Sequence, residues 1–245
     1  MDLNNKVALI TGASSGIGKA IAKLAEGIAY NLNDAGMKLI LTARSEDELK
    51  EIASNCKQAK VFAGSITEKE TPQQLLDFAL DSFGQLDVLV NNAGMMAVGA
   101  IEEIDIDKIC LMARLNVESV YRMAYTVLKH FKQTGSGFLI NTSSVAGLKT
   151  SPKQAAYDGT KHAVEAFTDS LRMELADTKI KVAAIAPGTV DTGLYDKWDE
   201  KDADYIKSGG VLQPEDIARC VRFILQQPEG VMIPRMLAVP TNQPV

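Results

Sequence analysis

Cysteine and histidine are scarce in this sequence, which has three cysteines and two histidines among its 245 residues. Cys56, Cys110 and Cys220 are odd in number, lie far apart and form no Cys-x-x-Cys pair. Only His130 and His162 are available to join them in a metal site. The pattern predicts a reduced, cytoplasmic protein that holds no metal and no disulfide framework.

Clustered positive charge and long apolar runs are also missing. The net charge is −5, and the 26 lysines and arginines are scattered, so no basic stripe can neutralise a nucleic-acid backbone. No run of about 18 apolar residues occurs. Residues 1–12 have neither the basic region nor the apolar stretch of a signal peptide. We therefore expect no nucleic-acid partner, no membrane span and no export.

Short apolar runs rich in β-branched residues alternate with longer helical patterns. Most of these runs are apolar on both faces, as expected for strands of a parallel sheet that helices cover on both sides. The predicted fold class is α/β, a doubly wound parallel sheet of about seven strands with helices on both faces, in a single domain over residues 1–245. The predicted strands are 6–11, 37–43, 59–64, 86–91, 137–143, 180–186 and 231–239.

The first predicted strand runs directly into the sequence TGASSGIG at 11–18 and then into a predicted helix. Here Gly12 permits a tight turn, Gly16 lets the backbone approach a phosphate, and Gly18 lets the helix pack closely on the sheet. The free N–H groups at the helix start favour a negative charge. The turn predicts a dinucleotide pyrophosphate site, with a purely structural turn as the alternative because the spacing differs from Gly-x-Gly-x-x-Gly.

The end of the second predicted strand is the place where a dinucleotide's adenosine ribose is recognised, commonly by an acidic residue. This sequence has Ala43 and then Arg44 at that place. A guanidinium group can pair with a 2′-phosphate. We therefore expect NADP(H) rather than NAD(H), with an exposed arginine that merely follows a strand as the alternative.

Tyr157 and Lys161 lie four residues apart in a predicted amphipathic helix, which places both side chains on one face. An ammonium group within about 4 to 6 Å of a phenol lowers the pKa of that phenol from its usual value near 10. Such a pair can therefore exchange protons at neutral pH. Taken alone, the two residues also fit a solvated surface pair.

Six short motifs resemble, in their order and spacing, those of the short-chain dehydrogenases/reductases, in the classical branch of that family. The resemblance extends over essentially the whole chain. It implies a Rossmann-type fold with a cofactor-binding part at about 1–150 and a catalytic and substrate part at about 140–245. The motifs are TGASSGIG (11–18), NNAG (91–94), LN (115–116), SS (143–144), YDGTK (157–161) and PGTVDT (187–192).

The resemblance implies a catalytic tetrad of Asn116, Ser144, Tyr157 and Lys161. Ser144 is preferred to Ser143 because the family places its serine thirteen residues before the tyrosine. In this scheme Tyr157 exchanges a proton with the substrate oxygen, which Ser144 holds by a hydrogen bond. Lys161 lowers the pKa of the phenol and binds the nicotinamide ribose. Asn116 holds a water of a proton relay through its backbone carbonyl and its side chain.

The same resemblance implies cofactor contacts at the carboxyl ends of the strands. Asn91, Ala93 and Gly94 are expected beside the adenosine ribose, and Thr192, together with the backbone of Val190, at the carboxamide. The expected cofactor-binding residues are Gly12, Ser14, Ser15, Gly16, Ile17, Gly18, Arg44, Ser65, Ile66, Asn92, Ala93, Gly94, Tyr157, Lys161, Pro187, Gly188, Val190 and Thr192.

The chain departs from the family pattern at two places. Ser65 stands where the family commonly has an aspartate that accepts a hydrogen bond from adenine, which predicts weaker adenine binding. The pattern of the first helix, over 17–38, is nearly two turns longer than expected. Gly27 lies in its middle and makes a break into two segments an alternative.

The last part of the chain bears on substrate and assembly. A lid is expected over about 189–212, where Tyr195, Trp198 and Tyr205 predict either an aromatic wall over the substrate or an exposed acidic helix. The C-terminal sequence is similar to that of family members that act on small hydroxy acids, which favours a small polar substrate. A homodimer or homotetramer is expected because the family builds its interface from the helix carrying Tyr157 and the helix predicted over 105–133. The latter has apolar residues all round it: Ile109, Met112, Leu115, Val120, Met123 and Val127.

Together these features predict an NADP(H)-dependent oxidoreductase that interconverts a small-molecule carbonyl and a secondary alcohol. The alternative from a different class is a non-catalytic NADP(H)-binding sensor or assembly protein. A sensor would need the glycine turn but neither Ser144 nor the phenol of Tyr157, so it is less favoured. A lyase or epimerase on the same scaffold would normally have the longer chain of another branch.

Overall fold

A seven-stranded parallel sheet forms the centre of the computed structural model, which describes residues 1–22, 32–193 and 209–244. The strands run in the order β3-β2-β1-β4-β5-β6-β7, and every neighbouring pair is parallel. This doubly wound α/β sheet confirms the predicted fold class. The strands are β1 Val7–Thr11, β2 Lys38–Ala43, β3 Ala59–Ala63, β4 Val88–Asn91, β5 Ser136–Thr142, β6 Lys179–Pro187 and β7 Arg235–Ala238.

Helices pack on both faces of the sheet, because the central strands are apolar on both sides. In β1, Ala8 and Ile10 face one hydrophobic cluster, and Val7 and Leu9 face the other. The helices are α1 Gly16–Ala22, α2 Glu46–Ser54, α3 Thr71–Phe83, α4 Ile106–Ala113, α5 Ser119–Thr134, α6 Ala155–Glu174 and α7 Pro214–Gln226. The first cluster includes side chains of α1, α2 and α7, and the second includes those of α3, α5 and α6.

The helix ends follow signals in the sequence. Asp105 caps α4 by accepting a hydrogen bond from the N–H of Lys108. At α7, Gln213 and Asp216 form a reciprocal capping box. Gly135 ends α5 in the left-handed region, at a φ of 84°. These local signals fix where each crossover helix meets the sheet.

The helix predicted over 105–133 is α4 and α5 joined by a π-helical turn at Arg114–Glu118. The N–H of Ser119 bonds to the carbonyl of Arg114, five residues back. The apolar residues spread around this helix are largely internal. Met112, Val120, Met123 and Val127 are buried in the core of the chain itself.

Two sequence predictions fall wholly or partly outside the described residues. Only the start of the first helix, Gly16–Ala22, is described, so its length and a break near Gly27 lie outside. The aromatic residues of the expected lid, Tyr195, Trp198 and Tyr205, also lie outside. Within the described ranges, no helix is both long and apolar enough to cross a membrane.

Candidate functional site

A cleft of about 1080 Å³ opens at the carboxyl ends of the strands. Its described lining comes from the segments that follow β1, β2, β3, β4, β5 and β6, from α6 and from the C-terminal residues. The chain builds β2 and β3 on one side of β1 and β4 to β7 on the other, so the cleft lies at the switch point of the sheet. A doubly wound sheet binds its ligands at this position.

A Cβ atom at any of the three glycines of the TGASSGIG turn would come too close to neighbouring atoms. Gly12 has a φ of +66°, and a Cβ there would lie 2.8 Å from the Cα of Ala93. Gly16 has a φ of +48°, and its Cβ would lie 2.9 Å from the Cβ of Thr192. Gly18 does not line the cleft; a Cβ there would overlap the carbonyl oxygen of Gly12 and lie 2.6 Å from Nδ2 of Asn92. Gly18 therefore provides the close packing predicted for it, behind the turn.

Asn92 ties this turn to the neighbouring strand ends. Its Nδ2 donates to the carbonyl oxygens of Thr11 and Gly12, at 3.1 and 3.4 Å. Its Oδ1 accepts from the Thr142 hydroxyl at 3.4 Å. The Thr11 hydroxyl in turn accepts from the N–H groups of Asn92 and Ala93, both at 3.0 Å. The floor of the cleft is thereby fixed across three strands, β1, β4 and β5.

Asn91 was predicted beside the adenosine ribose, and the structure contradicts this. Its side chain is buried and points away from the cleft, with Nδ2 donating to Oδ1 of Asn141 at 3.1 Å and to the carbonyl of Val120 at 3.3 Å. The reason is the alternation of a strand: Asn91 is the last residue of β4, and its neighbour Asn92 faces the other way. Ala93 and Gly94 line the cleft as expected.

The adenosine end of the cleft is formed by the segments after β2 and β3. Arg44 is exposed and follows β2 directly, lining the cleft together with Ser14 and Ser15 of the glycine turn. Ser65 and Ile66 follow β3 and also line it. The Ser65 hydroxyl lies 2.8 Å from that of Thr67, so the two hydroxyls share a hydrogen bond.

Tyr157 and Lys161 lie on one face of α6 and both line the cleft. Lys161 is only 6% exposed, and its Nζ lies 5.9 Å from the centre of the Tyr157 ring. The same Nζ donates to the carbonyl oxygen of Thr142 at 2.9 Å. Burial lowers the pKa of the Lys161 ammonium to about 8, and the charge of Glu165 partly opposes this. Tyr157 and Lys161 therefore do not form a solvated pair on the surface.

The two adjacent serines after β5 have different surroundings. Ser144 is half-buried, lines the cleft and caps a short 3-10 turn at Val145–Gly147, with its hydroxyl accepting from the N–H of Ala146 at 3.1 Å. Ser143 is buried, and its hydroxyl has no partner among the described residues. A Cβ at Gly147 would lie 2.7 Å from this hydroxyl, so Ser143 packs toward that turn.

Asn116 lies in the π-turn, behind the cleft rather than in its lining. Its Oδ1 accepts from the N–H of Met95 at 2.9 Å, and its Nδ2 donates to the carbonyl of Met95 at 2.8 Å. Nδ2 also donates to the Thr160 hydroxyl at 3.2 Å. The side chain, at 1% exposure, thus holds the segment after Gly94 against α6.

The remaining predicted residues lie at the end of β6 and directly after it. Pro187, Gly188, Val190 and Thr192 all line the cleft, and the Thr192 hydroxyl donates to the Val190 carbonyl at 3.4 Å. Val190 also forms a β-bridge with Leu212, which holds together the two described ends of the expected lid.

Sequence reasoning missed a group of lining residues for which it had no motif. The C-terminal residues carry no local signal, and only the packing of the chain end against Gly188 brings them to the cleft. The others lie in loops after β4 and β5 or on α4. The missed residues include Met95, Met96, Leu111, Lys149, Ser151, Gln154, Asn242, Gln243 and Pro244.

The charged side chains that line the described part of the cleft are all positive. Among the described residues that line it, the charged ones are Arg44, Lys149 and Lys161, and none is Asp or Glu. This arrangement occurs in a chain with a net charge of −5. The described lining therefore favours anionic ligands.

The sheet order, the switch-point cleft and the glycine turn define a Rossmann-type nucleotide-binding fold. Within that class the chain belongs to the short chain dehydrogenase family, whose model matches residues 6–203. It is thereby a member of an oxidoreductase family, as the motifs predicted.

Known proteins similar to the chain agree with this assignment. An uncharacterized oxidoreductase of Staphylococcus aureus (strain MRSA252) is 35% identical over 233 residues, which are 94% of this chain and 95% of that protein. The alcohol dehydrogenase of the archaeon Thermococcus sibiricus, complexed with 5-hydroxy-NADP, is 30% identical with a TM-score of 0.85 over 99% of each chain. The 3-ketoacyl-(acyl-carrier-protein) reductase of Brucella melitensis, complexed with NADH, is 29% identical with a TM-score of 0.85 over 98% of this chain and 99% of that one.

Proposed function

We propose that this protein is an NADP(H)-dependent oxidoreductase that interconverts a small carbonyl compound and the corresponding secondary alcohol. The observation that carries the proposal is that Tyr157, Lys161 and Ser144 line the same cleft as the glycine turn. The residues proposed for a nucleotide site and those of the proposed acid–base pair thus line one cavity, as hydride transfer coupled to proton transfer requires.

The described residues fit a dinucleotide cofactor. A side chain at Gly12 or Gly16 would collide with Ala93 or Thr192, so the turn borders the cleft with bare backbone. The cleft is large and carries only positive side chains along its described lining. Bound there, the nicotinamide ring would supply or accept the hydride. The residues that would hold the cofactor are those predicted from the motifs, with Gly18 acting from behind the turn and Asn92, not Asn91, facing the cleft.

In carbonyl reduction, the Tyr157 hydroxyl gives its proton to the developing alkoxide oxygen, and in alcohol oxidation it takes the proton back. The Lys161 ammonium stabilises the phenolate that remains and donates hydrogen bonds to the nicotinamide ribose. The Ser144 hydroxyl donates a hydrogen bond to the substrate oxygen as negative charge develops. These are the roles that the family resemblance implies.

For Asn116 we propose separate roles for the side chain and the backbone carbonyl. Both of its Nδ2 hydrogens are engaged by Met95 and Thr160, and its Oδ1 accepts from Met95. The water of a proton relay is therefore best assigned to the backbone carbonyl of Asn116, in a turn whose hydrogen bonds are shifted by one residue. The side chain then acts by holding the wall of the cleft in place.

The proposed preference for NADP(H) rests on Arg44. It follows β2 at the cleft, and the described lining has no carboxylate that would repel a 2′-phosphate. The similar solved structures hold cofactors of both kinds, 5-hydroxy-NADP in one and NADH in another. The charge of Arg44 is thus the feature of this chain that favours NADP(H).

The test of the proposed function is NADPH oxidation with a panel of small ketones and keto acids, measured by absorbance. The Tyr157→Phe variant should bind NADPH with unchanged affinity and lose activity by a factor of about 100 or more. Turnover that survives in Tyr157→Phe would contradict the acid–base assignment. Tight NADPH binding without turnover on a broad panel would instead favour a non-catalytic sensor, the second candidate.

In the same assay, Arg44→Gln should lower the ratio of kcat/KM for NADPH to that for NADH by about tenfold or more, because it removes the partner of the 2′-phosphate. Arg122→Gln is the matched control, since Arg122 of α5 pairs with Glu118 of the π-turn and neither residue lines the cleft. An unchanged ratio in Arg44→Gln would contradict the assigned preference.

We also propose a homodimer or homotetramer and a cytoplasmic location. The proposed association is supported by aromatic and apolar side chains that are exposed on the helices. One of them is Tyr125 on α5, which is 50% exposed and packs edge-on against Phe167 of α6. The location is an interpretation of the three cysteines, which form no disulfide.

A further inference from the structure

We propose that the substrate carries a carboxylate, and that Lys149 and Gln243 are specificity-determining residues that bind it. This inference rests on the proposed function and names the substrate class of the same site. Its starting point is the charge of the cleft, whose described lining holds three cations and no acidic residue.

Two of the three cationic side chains are assigned to contacts with the cofactor. Arg44, after β2, faces the 2′-phosphate, and Lys161 on α6 serves the ribose and the phenol. Lys149 follows β5, and the carboxyl ends of β2 and β5 are three strand spacings, about 14 Å, apart. Lys149 has no ion-pair partner among the described residues, so its charge remains available to a second anion.

The backbone of Lys149 is fixed close to the catalytic serine. Ser144 caps the 3-10 turn Val145–Gly147. The N–H groups of Leu148 and Lys149 both bond to the carbonyl of Val145, at 2.9 and 3.0 Å. The exposed Lys149 side chain thus starts from an ordered turn and reaches the rim of the cleft. A substrate whose oxygen is held by Ser144 would have its other end within reach of this ammonium group.

Gln243 approaches the cleft from the C-terminal segment. Its Oε1 accepts from the N–H of Thr189 at 3.0 Å, which fixes the orientation of the carboxamide. The two hydrogens of Nε2 have no partner among the described residues, and Gln243 lines the cleft. Gly188 and Gly209 make room for this approach: a Cβ at Gly188 would overlap Oε1, and one at Gly209 would lie 3.4 Å from the Cα of Gln243. The fold therefore presents an oriented N–H donor to the cleft.

One ammonium group and one amide donor suit a single negative charge. A phosphate monoester carries close to two charges and three acceptor oxygens, and it would call for more donors than these. Apolar side chains of Met95, Met96 and Val145 line the same cleft and suit a short hydrocarbon body. These features together favour a small keto acid or hydroxy acid.

The first test compares 3-oxobutanoate with its neutral methyl ester as substrates for the wild-type protein and NADPH. We expect kcat/KM to be about tenfold or more higher for the acid. Gln243→Glu keeps the acceptor for Thr189 but replaces the N–H donor by a repelling carboxylate. It should raise KM for the acid by about tenfold or more, with kcat and the ester's KM little changed.

Lys149→Met should change KM in the same direction as Gln243→Glu, again for the acid alone. Lys132→Met is the matched control, because Lys132 is exposed at the end of α5 and does not line the cleft. Equal kcat/KM for acid and ester, or variants that affect both substrates alike, would overturn the inference and leave the proposed function intact.

The second test needs no turnover. Calorimetry should show that butanoate binds to the wild-type protein saturated with NADP⁺ and binds about tenfold or more weakly to Gln243→Glu and Lys149→Met. Equal affinity in all three proteins would overturn the inference. Tighter binding of inorganic phosphate, lost in the same variants, would overturn the choice of carboxylate. If butanoate binding behaves as expected but Tyr157→Phe keeps full activity, the proposed chemistry fails while the anion site stands.

Discussion

Lys161 is buried, although the proposed chemistry requires its side chain to carry a positive charge. It is buried beside Tyr157, and burial lowers the pKa of its ammonium from 10.5 to about 8. A shift of this size corresponds to about 3 kcal/mol of folding free energy. Because the folded state binds this proton more weakly than the unfolded state, the cost is fully present below about pH 8. It diminishes as the pH rises from about 8 toward 10.5.

Lys161→Met should therefore be more stable than the wild type near neutral pH, although inactive. We expect a gain of about 1 to 2 kcal/mol in the free energy of unfolding of the cofactor-free protein, since the lost hydrogen bond to Thr142 offsets part of the relief. The gain should shrink as the pH approaches about 10, where the wild-type amine is neutral in the folded state.

Urea unfolding of both proteins at several pH values checks this expectation. Lys132→Met serves as the control, because Lys132 is exposed and the same substitution there leaves the buried surroundings of Lys161 unchanged. A Lys161→Met difference that stays constant across the same pH range would contradict the argument.

At the scale of single elements, two glycines show how differently the fold uses the same residue. Gly159 lies inside α6, and a Cβ there would meet nothing within 4 Å. Gly137 lies in β5, where a Cβ would overlap the ring of Phe131 from α5. The first glycine only weakens its helix, whereas the second allows a helix to pack on the sheet.

Gly159→Ala should raise the free energy of unfolding by about 0.5 to 1 kcal/mol, because alanine loses less backbone entropy in a helix. Gly137→Ala should lower it by about 2 kcal/mol or more, because the Phe131 ring must leave its buried position. Urea denaturation of the two variants measures both changes. A destabilised Gly159→Ala would indicate that this exposed face of α6 is covered in the native protein.

At the scale of the whole molecule, the proposed association places α5 and α6 at an interface. Tyr125→Asp should then shift the protein from an oligomer to a monomer in size-exclusion chromatography with light scattering, because a charge would replace a half-exposed aromatic ring. Ile101→Asp is the control, since Ile101 is 91% exposed in a loop. A monomeric wild type, or an unchanged mass for Tyr125→Asp, would contradict this proposal.

Much of the molecule could be predicted from the sequence because its strongest signals are local. Each of the seven predicted strands overlaps an observed one, and the signal is strongest for the central strands, since a strand buried on both faces must be apolar throughout. Gly12 and Gly16 were recognised because a turn with positive φ between strand and helix requires glycine. Tyr157 and Lys161 were recognised because helical spacing alone places them on one face.

The parts that could not be predicted depend on contacts between distant residues. Asn91 and Asn92 are adjacent and identical in type, and only the strand register decides which of them faces the cleft. Gln243 reaches the cleft because Gly188, far away in the sequence, leaves it room. The apolar residues spread around the 105–133 helix predict that the helix is covered but not what covers it, and only the folded chain shows that Met112, Val120, Met123 and Val127 lie in its own core.

The π-turn at Arg114–Glu118 also limits how the length of this chain can vary. It contains one residue more than a regular helical turn would need, and each residue turns a helix by about 100°. A one-residue deletion there would restore a regular helix with α4 and α5 still in register, because the π-turn covers about the same rotation with one residue more, but it would remove the wide turn that holds Asn116 against Met95. Insertions and deletions should therefore accumulate in the surface loops of related sequences, while the residue count between Met112 and Val120 stays constant.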